Sequence, residues 1–142
     1  MTNISEIYDV FLSKISDYSL LDPSLTQMDI EEDLFGYFRS ARAKFYKCKN
    51  DLNTTTDESG DTFIVSDLEP YEIEILVALM IVEYLKPQVL STEVIKQSLS
   101  DKDFRIYSQA NQLRELNLLY RTLKREANKM ITEYSFMGMT DK

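Results

Sequence analysis

IEILVALMIVEYL, residues 73–85, is the most apolar run of the chain, and only Glu74 and Glu83 interrupt it. On a helical wheel it is apolar on nearly every side, and such a helix must be buried on most of its faces. The run is too short to cross a bilayer, which takes roughly 20 apolar residues. It is too long for a buried strand, usually about 4–8 residues. It therefore predicts a central helix wrapped by the others. Its side chains offer no chemistry, so function is expected on the surfaces around it.

Working outward, 142 residues support one domain with one real core. A hydrophobic content of 44%, with 11% aromatic residues, argues against disorder. Three Gly and three Pro leave few tight turns, which favours helices over a many-stranded sandwich. The expected fold is all-α: a small helical bundle around the buried helix, with a long C-terminal helix and one long polar loop. A net charge of −8 argues against broad binding to a phosphate backbone, which needs clustered Lys and Arg. Residues 1–70 hold 14 acids and 6 bases while residues 71–142 hold 10 of each, so the surplus sits in the first half. Cys48 is the single cysteine and no cationic leader with an apolar segment is seen, so a reducing cytoplasm is expected.

In chain order, Ile4, Ile7, Tyr8, Phe11, Leu12 and Ile15 give Ser5–Ile15 the spacing of an amphipathic helix. Asp22-Pro23 breaks the chain. A second helix is expected from Met28 to Lys49, buried through Leu34, Phe35, Phe38, Ala41, Phe45 and Cys48. Its acids Asp29, Glu31, Glu32 and Asp33 lie at one end and its bases Arg39, Arg42, Lys44, Lys47 and Lys49 at the other, as the helix dipole favours. Residues 51–66, DLNTTTDESGDTFIVS, read as a loop of a length usually functional or disordered. Within it Phe63, Ile64 and Val65 are β-prone, suited to plug a local groove or to pair edgewise with a neighbouring chain. Asp67 is the expected cap of the central helix, with Pro70 in its first turn and Pro87 closing it. A short helix is expected after Ser91, stapled by Leu90 and Ile95. The last helix should run from near Asp103 to Tyr134, roughly 48 Å at 1.5 Å per residue, longer than a small domain needs. A tail, Ser135–Lys142, carries Phe136, Met137 and Met139.

Chemistry is sparse. The chain has no histidine, the commonest general base and metal ligand, and no Gly-rich phosphate loop. Glu31-Glu32-Asp33 are consecutive and splay over a helix, so the dipole accounts for them better than a metal does. Asp57, Glu58 and Asp61 lack the calcium-loop pattern. Cys48 reads as a buried small hydrophobe, with a reactive thiol as the alternative. The basic run Arg39–Lys49 reads as a solvated face matching the dipole, as intersubunit charge pairing, or as a phosphate contact. The nine tyrosines divide between core edge and interface. No catalytic residue, metal or cofactor is expected.

Three segments carry a likeness: DLFGYFRSARAKFYKCKNDL (33–52), LEPYEIEILVALMIVEYLKPQVLSTE (68–93) and DKDFRIYSQANQLRELNLLY (101–120). They resemble the all-helical head–tail connector (adaptor, or head-completion) proteins of tailed bacteriophages of Gram-positive hosts. The resemblance spans residues 28–136 and rests on wording such as E-Y-L-K-P-Q and K-D-F-x-x-Y-S-x-A-N. It implies a virion protein of the neck, assembled in the host cytoplasm into a ring, generally of twelve copies, beneath the portal protein. DNA would pass through that ring without sequence-specific binding, and a downstream neck or tail protein would follow. The family's portal and neighbour contacts would fall on Tyr134, Phe136, Met137 and Met139 and on residues 51–66, including Phe63, Ile64 and Val65. A net acidic ring suits a conduit that must not grip its cargo, and no membrane is involved. From another class, a small acidic inhibitor or regulatory module mimicking DNA charge is the alternative; it would need its acids in a phosphate-like array. An enzyme is a third class, disfavoured by the missing histidine.

Overall fold

The computed structural model describes residues 1–17, 27–98 and 105–140, with side chains over 1–16, 33–90 and 114–137. The elements are β1 (Thr2–Asn3), α1 (Ile4–Asp17), α2 (Gln27–Lys44), β2 (Thr54–Thr56), β3 (Thr62–Ile64), α3 (Pro70–Ser98) and α4 (Arg105–Thr140). The fold is mainly α, with one small sheet.

The apolar run lies in α3 and is buried as expected, through Ile75, Leu76, Val77, Leu79, Met80, Ile81, Val82, Tyr84 and Leu85. Three helices wrap it. α1 contributes Ile4, Ile7, Phe11 and Ile15; α2 contributes Leu34, Phe38 and Ala41; α4 contributes Leu123, Ala127 and Tyr134. Each such Leu, Ile or Phe is worth about 1.5–3 kcal/mol for full burial. Phe11, Tyr37 and Tyr84 knit three helices, with centroids 5.8–6.1 Å apart. The two acids that interrupt the run are used as ties. Glu74 accepts from Lys14 of α1 at 2.6 Å, and Glu83 pairs with Lys44 of α2. Both pairs are partly exposed, so each adds at most about 1 kcal/mol.

The start of α3 explains itself chemically. Pro70 occupies the first helical position, where no N–H is needed. The Ile73 N–H donates to the Glu69 carbonyl. Glu72 reaches back to accept the Glu69 N–H at 2.9 Å, the acidic half of a capping box. Asp67, the expected cap, instead pairs with the Met1 ammonium.

Four expected boundaries are corrected. α2 ends at Lys44, not Lys49, so Lys47 and Lys49 lie beyond it and do not serve its dipole. Pro87 does not close α3, which runs through it to Ser98 without the break expected near Ser91. Pro87 is exposed, so water can serve the Glu83 carbonyl that loses its bond, while Leu85 and Val89 keep both sides on the core. The last helix does not stop at Tyr134: α4 is 36 residues long, about 54 Å, and the tail continues it through Thr140. Finally, the 51–66 segment is a β-hairpin rather than an open loop. β3 is its central strand, antiparallel to β2 on one side (Thr55↔Phe63) and to β1 on the other (Thr2↔Ile64). Edgewise pairing of Phe63–Val65 with a neighbouring chain is thereby replaced by pairing within the chain.

The hairpin turn is set locally. The Asp57 carboxylate accepts the Ser59 and Asp61 N–H groups and the Ser59 hydroxyl. Gly60 supplies the left-handed conformation the turn requires, φ +90°. The expected break at Asp22-Pro23, the start of the last helix near Asp103, and the side chains of Glu31, Glu32, Ile95 and Met139 lie outside what is described.

Candidate functional site

Where the C-terminal half of α4 crosses the start of α3, a cavity of about 230 Å³ is lined by Lys49, Asn50, Glu69, Tyr71, Glu72, Tyr134 and Met137. α3 presents Glu72 there because its first turn is anchored by Pro70 and Glu69. The turn after α2 brings Cys48 and Asn50 to the same place, held by the Cys48 N–H on the Phe45 carbonyl. Phe45 is buried and its ring meets Tyr134 edge-on at 5.1 Å. Tyr71 and Tyr134 lie nearly parallel, 6.4 Å apart, and the Tyr71 hydroxyl reaches the Met130 carbonyl and Glu133 of α4.

Glu72 is buried, and its two oxygens receive four donors. The Asn50 amide donates at 2.7 Å and the Glu69 N–H at 2.9 Å to one oxygen. The Tyr134 hydroxyl at 2.8 Å and the Cys48 thiol at 3.1 Å donate to the other. Burial acts to raise the acid's pKa, but these hydrogen bonds outweigh it and hold Glu72 below its ordinary value. A carboxylate with four donors has filled its acceptor sites. The geometry therefore makes Glu72 a lock joining α3, the 45–50 turn and α4, not a free base or ligand.

Burial, then the hydrogen bond to Glu72, push the Cys48 thiol up to about 11. Cys48 is half-buried rather than the fully buried hydrophobe expected, and its thiol serves as a donor to Glu72. At neutral pH a thiolate-specific reagent is expected to label native Cys48 about 100-fold more slowly than an ordinary thiol, and to label it readily once the chain is unfolded. Fast native labelling in a stopped assay would refute this placement. Burial, with the Glu72 carboxylate beside it, raises the Tyr134 hydroxyl as well.

The structure separates the expected docking residues. Tyr134 and Ile64 are buried in the chain's own core, so they are corrected from docking side chains to packing ones. Phe63 is half-buried, whereas Val65 is exposed. Phe136 and Met137 are 61% and 50% exposed just past Tyr134, with Met137 at the cavity.

The basic run does not act as a single face. Lys44 is paired within the chain to Glu83, which removes it from intersubunit pairing, and burial, then Lys86 and Lys124, lower its pKa. Arg42 donates to the Leu52 carbonyl at 3.4 Å and lies over Phe38. Lys47 lies over Tyr46, and Lys49 over Tyr134, whose hydroxyl accepts the Lys49 N–H. Arg39 is exposed beside an open hollow with Gly36, Ser40, Arg42 and Ala43.

Among the described residues no group of three or more His, Cys, Asp or Glu is placed to hold a metal ion, and no helix is long and apolar enough to cross a membrane. Glu72 and Asn50 were not singled out by sequence reasoning. The available signal was the Glu69-Pro70-x-Glu72 spacing of a capped helix start. No protein-family model, curated protein or solved structure matches the chain.

Proposed function

We propose that the chain is a non-enzymatic structural protein of a phage neck, one subunit of a ring that docks on the portal protein and extends the DNA channel. The reading rests on the likeness of three segments to head–tail connector proteins. The observation that carries it furthest is the end of α4. The helix continues beyond its last core residue, Tyr134, and displays Phe136 and Met137 to solvent. Large apolar side chains left exposed near the end of a helix, Phe136 outward and Met137 at the mouth of the cavity, are suited to a protein partner. The lock at Glu72 fixes the direction of that tip, so the partner meets a preorganised surface.

Portal and the wild-type chain are expected to co-sediment. Phe136→Ser combined with Met137→Ser should weaken that association at least tenfold while leaving the circular dichroism and the thermal midpoint near wild type. Undiminished association of the folded double variant would overturn the role of the tip. Absence of association between wild type and portal would overturn the neck reading itself.

A further inference from the structure

The hairpin leaves one strand edge open. The Asp57 N–H donates to the Asp61 carbonyl and the Val65 N–H to the Asn53 carbonyl, so residues 53, 55 and 57 turn their main-chain groups toward β3. By the alternation of an antiparallel ladder, Thr54 and Thr56 turn theirs outward. Among the described residues no partner takes these groups. The opposite edge of the sheet differs: β1 has two residues and passes directly into α1 at Ile4. Thr54–Thr56 is short, three residues, but it carries none of the Pro, Lys or bulge devices that also blunt an edge.

We propose that two copies of this chain pair through β2, antiparallel about a two-fold axis at Thr55, joining their sheets into one. In that register Thr54 faces Thr56 of the second copy and Thr56 faces its Thr54, and each pair exchanges two main-chain hydrogen bonds, about four in all. Thr55 faces its own counterpart.

Charge selects the direction. The turn beyond β2 carries Asp57, Glu58 and Asp61, all exposed. Parallel pairing would set two such turns side by side. Antiparallel pairing sends them apart, each toward the other copy's 47–53 segment with Lys47 and Lys49, where the one acid, Asp51, falls opposite Ser59. A two-fold contact is closed on itself and does not propagate. The pairing is thus a property of the free chain and does not depend on the neck reading.

The test is disulfide trapping in a Cys48→Ser background, with sedimentation alongside. Thr55→Cys should form a covalent dimer under mild oxidation at least ten times faster than Glu58→Cys, whose counterparts lie far apart in this register although the residue is at the exposed turn. Thr56→Pro removes an outward N–H and one exposed hydroxyl contact to Thr62, no ladder bond to β3, so it should keep the fold and lower the association constant at least tenfold. Equal trapping at 55 and 58, or a wild-type chain that sediments as a monomer at millimolar concentration, would overturn the proposal.

Discussion

Replacing Phe11 by alanine is expected to cost about 4 kcal/mol of stability, within the usual range for emptying a buried aromatic site, and to lower the thermal midpoint by about 12 °C. Phe11 is fully buried, and its ring lies against Tyr37 of α2 and Tyr84 of α3. Those rings belong to two different helices that are themselves anchored by Phe38 and Leu85, so the hole cannot close by local collapse. Tyr46→Ala is the matched control: that ring is 79% exposed and its loss should stay within about 0.5 kcal/mol. Chemical denaturation of both variants measures the difference. A loss under about 1.5 kcal/mol for Phe11→Ala would show that α1 is peripheral to the core.

Glu72→Ala should cost about 3 kcal/mol, because it strands the buried Tyr134 hydroxyl and three part-buried donors at once: the Asn50 amide, the Cys48 thiol and the Glu69 N–H. Glu72→Gln keeps one acceptor but turns an amide toward donors, for a loss of about 2 kcal/mol. The pH dependence has a defined sign. The folded pKa of Glu72 lies below its ordinary 4.5, so the carboxylate's contribution is complete above about pH 4.5 and fades as pH falls through the folded value. The gap between wild type and Glu72→Gln should therefore narrow in acid. A gap independent of pH from 7 to 3 would mean that Glu72 is not held as a carboxylate.

The helices were legible because their signal is periodic and local. Ile4, Ile7, Phe11 and Ile15 mark one face of α1, and the 73–85 run marks a helix buried all round. What escaped the sequence depends on contacts far along the chain. Pro87 reads locally as a stop, yet Leu85 and Val89 on either side find core partners that hold the helix together. Residues 51–66 read as a loop because Thr and Asp prevail there, and the strand completing the sheet comes from Thr2–Asn3. The lock shows the same limit: Cys48, Asn50, Glu72 and Tyr134 share no motif, and only the crossing of α3 and α4 brings them together. Ile64 and Tyr134 read locally as sticky surface because their core partners lie far along the chain.

The strand at the very start of the described chain has a consequence for the order of folding. Pairing Thr2 with Ile64 closes a loop of roughly 60 residues, and the entropy of closing such a loop grows with the logarithm of its length. α1 and α2 shorten that loop as they settle on α3. Thr2 and Asn3 are thus expected to dock late, after the hairpin that receives them has been made.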